Sequence, residues 1–494
     1  MNRKYVMFSP VTRLSGLLSV ETIMENNQVT EANVKGTLFR GFEWIMKGRH
    51  IRDAVYMTQR ICGICSMAHG ACASYLLDEL YDNEISENGQ LLRNIMYASD
   101  FLQNHIRHYY LFSMPDFVRM PERAPFEGQD VSDLRLNPRD NDTLVDHYFE
   151  AIKAAQESHQ ILTLFGGKAP HQHSFVEGGV AVIPTADKIG QALALINNIR
   201  AFVRDRMVPD TELIARVYRD YFSIGVTPAR LLSFGLFRFG PKNEVFVWRG
   251  GVLNDGWLSS VDISKIHETV TRSWFREEGY QFEEDDGGSY CEGKPETPVA
   301  GLDIGLTQLI PDPNKPGGYS WVKSVQYSGE PFEVGPLARM TINGFYRGGM
   351  STMDRIYART VETLLIADLV KEWLCRLRTG PAPISQKEEP EKNKATALTD
   401  AMRGSLLHSV DMEDEKVISY NIITPTTWNF SPKDDRGQMG PVENALVGTR
   451  VSSRQNILTV LGRIIRSFDP CLSCGTHVLS REDGLLSSIG QVIL

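Results

Sequence analysis

The chain has 494 residues, with 52 Lys and Arg against 61 Asp and Glu, a formal charge of −9. At 42% hydrophobic and 23% charged residues it has the make-up of an ordinary soluble globular protein, neither disordered nor fibrous. The acidic balance, without a basic stripe, argues against nucleic acid as a partner. No apolar run approaches the roughly 18 residues of a membrane span. Arg3 and Lys4 are not followed by the apolar segment of a secretory signal.

In chain order, Ser19 to Gly36 mixes Val, Thr and Ile around Glu25-Asn26-Asn27, which predicts a short β-hairpin. Leu91, Leu92, Ile95, Met96, Leu102, Ile106 and Tyr110 fall at helical spacing and predict a helix ending near Pro115. A second helix is expected from about Thr143 to Phe165, stopped by Gly166-Gly167, and a third from about Thr185. Residues 215–345, with an acidic loop at Glu283 to Gly288, read as mixed strands and loops covering the helices. Ser351 to Arg378 is apolar nearly all round, which predicts a long helix buried in the middle of the protein. Ser385 to Lys394, rich in Lys, Glu and Pro, reads as an exposed loop. The expected fold class is mainly α with some β (α+β). It comprises one compact domain, a central bundle of long buried helices covered by short strands and loops.

Seven cysteines, an odd number, make a poor disulfide framework. Cys72, Cys291 and Cys375 stand alone and read as buried, reduced side chains. The other four form two C-x-x-C pairs near opposite ends, Cys62/Cys65 followed by His69 and Cys471/Cys474 followed by His477. Two-residue spacing lets both thiolates of a pair face one ion, and two pairs complete a four-sulfur site for zinc, iron or nickel. A zinc ribbon usually takes its pairs from segments about 15–20 residues apart, whereas here nearly the whole chain intervenes. Neither pair follows a strand in a βαβ pattern, which disfavours independent redox dithiols. A four-cysteine iron–sulfur cluster stays open on spacing alone.

The residues around the pairs resemble the large subunit of the [NiFe]-hydrogenases over almost the whole chain. The first motif is R-x-C-G-x-C with a following His, and the last is D-P-C-x-x-C-x-x-H. Between them, in order, lie GTLFRGFE (36–43), HIRHYYLFSMPDFV (105–118), GGKAPHQHSFVEGGV (166–180), EVGPLAR (333–339), MRGSLLH (402–408) and PTTWN (425–429). The related respiratory complex I subunit keeps the fold without the thiolates, and this chain has all four.

The resemblance implies nickel held by four thiolates, with Cys62 and Cys471 terminal. Cys65 and Cys474 would bridge to an iron carrying carbon monoxide and cyanide. Cys471 would be the base that takes a proton from H2. Arg403 would hang over the open metal position, held by Asp116 and Asp469. Thr426 would donate to a cyanide, and Glu43 and His477 would bind magnesium. His69 would be a hydrogen-bonding neighbour of the bridging sulfur, with a satisfied core histidine as the alternative. Two positions depart from the pattern. Where the family has T-R-I-E-G-H, this chain has Thr12-Arg13-Leu14-Ser15-Gly16-Leu17, so Ser15 stands in place of the proton-carrying glutamate. Met402 replaces a proline beside Arg403.

The implied activity is reversible cleavage of H2 to two protons and two electrons, running as uptake. A slow-turnover hydrogen sensor is the alternative, supported by Ser15. With no further cysteine cluster, the electrons would leave through a small subunit carrying iron–sulfur clusters, docked near the first cysteine motif. The resemblance also implies a maturation endopeptidase that removes Val478 to Leu494 after His477, leaving a mature chain of residues 1–477. Nickel-insertion proteins and a membrane cytochrome are the other expected partners. The style of the motifs is that of the membrane-associated uptake group. The protein would be matured in the cytoplasm and then carried to the membrane by the small subunit, or remain cytoplasmic if not exported.

Overall fold

The computed structural model describes residues 3–277, 297–298, 309–452 and 455–475. Cys291, the acidic loop at 283–288, His477 and the 478–494 tail lie outside the described residues.

The expected hairpin forms from Leu18–Glu25 and Gln28–Gly36, and Arg3–Phe8 adds a third antiparallel strand along Leu18–Glu25. Asn26 and Asn27 make its two-residue turn at φ 51° and 62°. Asparagine tolerates this left-handed region, and a turn with both residues there matches the twist of the flanking strands.

The three expected helices are present with firmer boundaries. Ser86 accepts from Gly89 N at 3.3 Å and starts Glu87–Arg107, which continues through a wide π-helical turn, His108–Ser113, to a tight turn at Met114–Asp116. Asn137 accepts from Asp140 N at 2.9 Å and starts Pro138–Gly166, earlier than its apolar spacing suggests because Pro138 fits a first helical position. Thr185 caps Ala186–Phe202.

The innermost helix is Glu87–Arg107, buried without a break from Gly89 to Ile106. It packs against both Pro138–Gly166 and Thr352–Arg376. Leu91, Leu92, Ile95, Leu102 and Ile106 are each at most 1% exposed, worth about 1.5–3 kcal/mol apiece. The same helix also buries Arg93, Asn94, Asp100, Gln103, Asn104 and His105. Buried polar groups destabilise unless partnered, so this stripe marks a built polar interior.

Thr352–Arg376 is the long helix expected at the centre; it is buried over most of its length and packs against Glu87–Arg107 and Ala186–Phe202, but its C-terminal end is not covered. It is buried from Thr352 to Ile356 but exposes Asp368, Glu372, Cys375 and Arg376, and Tyr357, Val361, Leu364 and Leu365 are only partly covered. Its start is fixed by a reciprocal cap between Ser351 and Asp354. Cys375 is therefore exposed, against expectation, while Cys72 is buried. No helix among the described residues is long and apolar enough to cross a membrane.

The described residues of the 215–345 region are mostly short strands and loops, with a short helix at Pro336–Ile342; Arg230–Ser233, Gly251–Asn254, Trp257–Ser259 and Glu333–Val334 share one sheet. Beyond the mostly exposed 385–394 segment comes an antiparallel sheet of Lys394–Ala401, Gly404–Glu413 and Lys416–Ile423. Ala401 pairs with Gly404, so Met402 and Arg403 are the two residues of a hairpin turn. Gly404 sits at φ +129°, and a Cβ there would lie 2.5 Å from Val334 Cγ2 and 2.7 Å from Gly335 N. Only glycine lets this turn press so closely on its neighbour.

Candidate metal centre

Cys62 follows the Gln59–Ile61 turn in extended conformation, and Cys65 is the N-cap residue of the Ser66–Leu80 helix. The C-terminal pair arrives from the Ile457–Ser467 helix. Asp469, at φ 57°, turns the chain into Pro470 and Cys471. Ser15 O accepts from Leu472 N at 2.7 Å and Ser15 N donates to Pro470 O at 3.4 Å, so the two chain ends run side by side as a parallel bridge. Gly16 makes that approach possible. It has φ +86°, and a Cβ there would fall 2.5 Å from Ser473 N.

Four sulfurs meet at this junction, all within 4.8 Å of one another. Cys62 and Cys471 Sγ are 3.3 Å apart, and Cys474 Sγ is 3.0 Å from both Cys65 and Cys471 Sγ. None is more than 5% exposed. Hydrogen bonding from Cys471 holds Cys62 below the usual thiol range, while the Cys471 sulfur and burial push Cys65 up. Burial, then Cys471, pushes Cys474 up. Four such sulfurs cannot all ionise unaided; a soft or borderline metal ion removes the conflict by taking all four as thiolates. The donor set fits a metal.

Arg403 reaches in from its hairpin turn. Its Nε donates to Asp469 O and its Nη2 to Asp469 Oδ1, both at 2.9 Å, and Nη1 donates to Asn104 Oδ1 at 3.4 Å. Burial opposes ionisation of Asp469, but Arg403, His108 and Arg359 outweigh it and hold the carboxyl below its ordinary value. Asp116, expected on the same arginine, instead takes Arg466 Nη1 at 2.9 and 2.8 Å and also pairs with Arg13. This corrects the reading of Asp116. The tight turn that carries it faces the Ile457–Ser467 helix, and its backbone carbonyl accepts from Arg463 at 3.0 Å.

Thr426 Oγ1 accepts from Cys471 N at 3.1 Å. His69 lies one helical turn after Cys65, with Nδ1 3.1 Å from His408 Nε2, and His408 Nδ1 is 2.9 Å from the Tyr420 hydroxyl. Burial pushes His69 down to about 4, so it is neutral. Ser15 Oγ lies 3.4 Å from Ser473 Oγ, beside the C-terminal pair. Met402 is fully buried beside Arg403 and gives its backbone carbonyl to Arg339.

Glu43 stands apart from the sulfurs. It accepts from Ile422 N at 3.0 Å and faces Lys323 Nζ at 3.3 Å, and the same ammonium lies 3.0 Å from Glu268. Burial, with Glu268 adding, raises Glu43 above the ordinary carboxyl range against the pull of Lys323. Glu268 Oε1 is buried without a hydrogen-bond partner. Two carboxylates against one ammonium, with an orphaned oxygen, suit a further cation.

Sequence reasoning missed Asn104, Arg359, Glu362, Lys323 and Glu268. Arg339 and His105 were quoted within motifs but given no role. The available signal was the density of polar residues within the helix from 87 to 107.

Four buried cysteine sulfurs contributed by both ends of a mixed α/β chain, with a fixed arginine beside them, define the class of proteins built around a four-cysteine metal site. The nickel-dependent hydrogenase pattern matches residues 40–133, 122–349 and 343–477, and the chain belongs to that family. It is a hydrogenase large subunit, and so an oxidoreductase. It is 32% identical to the periplasmic [NiFeSe] hydrogenase large subunit of Desulfomicrobium baculatum, over 97% of this chain and 96% of that one. It is 28% identical to the uptake hydrogenase large subunit of Azotobacter chroococcum mcd 1, over 98% and 97%. The Ni-Fe-Se hydrogenase of D. vulgaris Hildenborough in its reduced state superposes with a TM-score of 0.88 at 35% identity, covering 96% of this chain and all of that one.

Proposed function

We propose that Cys62, Cys65, Cys471 and Cys474 hold a nickel–iron pair, with Cys62 and Cys471 on nickel alone and Cys65 and Cys474 shared with an iron bearing carbon monoxide and cyanide. The observation that carries this is the meeting of four buried sulfurs within 4.8 Å. Hydrogen has almost no acidity in water, so splitting it needs an acceptor for the electron pair and a base for the proton. What the metal pair supplies when bound is the first. Cys471 Sγ serves as the base. Arg403, always charged, polarises the reacting molecule without competing for its proton, and Asp469 fixes its orientation. Thr426, which accepts from the Cys471 amide, keeps its own O–H for an iron-bound cyanide. His69 is a neighbour of the bridging sulfur of Cys65 in this reading, while its pairing with His408 supports the alternative of a satisfied core histidine.

Glu43, with His477, binds magnesium in this reading; the support is the excess carboxylate around Lys323 and the orphaned oxygen of Glu268. Electrons leave through an iron–sulfur small subunit docked near the first cysteine motif, and a membrane cytochrome receives them in an uptake complex. Nickel-insertion proteins load the site, and an endopeptidase then cuts after His477, leaving the single domain 1–477. The chain matures in the cytoplasm and is carried to the membrane by the small subunit. Relatives named as uptake and periplasmic hydrogenases do not favour the sensor reading.

Elemental analysis of the purified heterodimer tests the site: nickel and iron in fixed proportion support it, and zinc in their place sinks it. Hydrogen uptake with an artificial electron acceptor tests turnover. Intact mass tests processing, since metal-loaded protein still ending at Leu494 rejects the cut.

A further inference from the structure

Cleavage of H2 leaves two protons beside sulfurs that are at most 5% exposed. Ser15, next to Cys471, has a hydroxyl and cannot take up a proton at neutral pH as a carboxylate can. On the Cys62 side lies a carboxyl group with no role so far. Asp100 is 4% exposed, its Oδ1 accepts from Gln103 Nε2 at 2.9 Å, and its buried Oδ2 has no hydrogen-bond partner. A buried carboxylate with an empty oxygen is poorly solvated, and a proton on that oxygen relieves the deficit.

Asp100, Gln103, Asn104 and Arg107 recur at helical spacing and share one face of the Glu87–Arg107 helix. At the inner end Asn104 donates to Ile64 O, inside the first C-x-x-C loop, at 3.0 Å and accepts from Arg403 at 3.4 Å. At the outer end Arg107, partly exposed, donates to Gln103 Oε1 at 3.0 Å. Asn104 also donates to the Asp100 backbone carbonyl at 2.9 Å, so polar groups on this one helix face lie between the cysteine loop and the partly exposed Arg107, with one titratable carboxyl among them.

We infer that Asp100 is the carrier that takes protons from the four-cysteine site toward solvent, the role that Ser15 cannot fill. The inference rests on the proposed reading of the metal centre. Each H2 yields two protons and two electrons, and the electrons leave through the partner subunit. Each proton breaks its bond to sulfur and forms an O–H bond on Asp100. That O–H bond then breaks as water takes the proton, so Asp100 ends as it began. Burial pushes Asp100 up to about 7; the Gln103 hydrogen bond opposes this, Cys62 adds to it, and Arg107 and Arg403 pull it down. A carrier balanced near neutrality loads and unloads without a steep step either way.

The test uses the purified heterodimer as parent, Asp100→Asn, Asp100→Glu and Asp100→Asn combined with Ser15→Glu. Each is measured for nickel and iron content, hydrogen uptake and carboxyl infrared absorption against pH. Asp100→Asn is expected to keep its metals, lose about a hundredfold in uptake, and lose a carboxyl band that titrates near pH 7 in the parent. Asp100→Glu should retain most of the rate, and Ser15→Glu should restore most of what Asp100→Asn loses. Asp100→Asn with the parent's rate overturns the relay, and so does a slow Asp100→Asn that neither Asp100→Glu nor Ser15→Glu relieves. If Asp100→Asn fails to hold metal, the parent's infrared titration decides: no carboxyl band changing near pH 7 overturns it. A parent without nickel or uptake removes the reading of the site itself, a failure visible before any variant is made.

Discussion

Arg403 grips Asp469 twice, through the backbone carbonyl and the carboxylate, each at 2.9 Å. The contact is the opening link of a buried ring. Asp469 Oδ2 meets Arg359 Nη1 at 3.3 Å, Arg359 meets His105 Nδ1 at 3.3 Å, and His105 Nε2 meets Glu362 at 2.8 Å. Glu362 takes Arg339 at 2.6 and 2.8 Å, and Arg339 donates to Met402 O at 3.0 Å, next to Arg403. The ring closes through the peptide bond that joins Met402 to Arg403, so the arginine beside the sulfurs is held by its side chain and by the backbone next to it.

Arg403→Lys keeps the charge but loses the planar fork that serves both oxygens. Hydrogen uptake should fall by about a hundredfold, within the range found when one pre-aimed donor is removed, while nickel and iron content stays at the parent's level. Metal analysis beside the uptake assay separates the two effects.

Arg339→Met should destabilise the fold by about 3–5 kcal/mol, because it strands the buried Glu362 carboxylate. Burial alone would raise Glu362, but Arg339 and His105 hold it down to about 2. Pairing Arg339→Met with Glu362→Gln removes the stranded charge and should recover much of the loss in urea unfolding.

Cys65→Ser should abolish retention of nickel and iron together, since a hydroxyl at that site is a poor ligand for soft metals. Cys375→Ser, on the exposed end of its helix, should leave metal content unchanged.

His108 carries a pH dependence with a definite sign. Its Nε2 donates to Arg466 O at 2.6 Å. Burial pushes it from 6.5 down to about 3, against the pull of Asp469. Between those values the unfolded chain binds a proton that the folded chain refuses. Stability therefore falls as pH drops below 6.5, by about 1.4 kcal/mol per unit. His108→Gln keeps a donor but does not titrate, so denaturant melts at about pH 7 and pH 5.5 should show a smaller drop than the parent's.

Gly16→Ala should weaken closure of the site. An added methyl meets Ser473 N at 2.5 Å, in a backbone region that costs alanine about 1–2 kcal/mol. Nickel remaining after dialysis, compared with the parent, reads the effect.

The two cysteine pairs, their neighbours and the amphipathic helices were legible because short motifs and helical periodicity are local. The 394–423 strands were not. Gly404–Glu413 is buried on both faces over most of its length, so it lacks the alternation that marks a half-covered strand. Without those strands, Arg403 could be named but not placed at a hairpin tip. Arg359, Glu362, Arg339 and His105 belong to three separate segments, and only packing reveals that they neutralise one another. Asp116 illustrates the converse. Its motif is local, yet which arginine it serves depends on the approach of the Ile457–Ser467 helix, to which no sequence pattern was assigned.

The parallel bridge between Ser15 and Cys471 sets an order on biosynthesis. A ribosome delivers Cys62 and Cys65 long before Cys471 and Cys474, so the four-sulfur pocket stays incomplete through most of the synthesis between them. Until the closing segment docks beside Ser15 and Gly16, two of the four sulfurs stand without counterparts. Closure at that seam is thus the last step in assembling the pocket, and it joins segments that are far apart in the sequence.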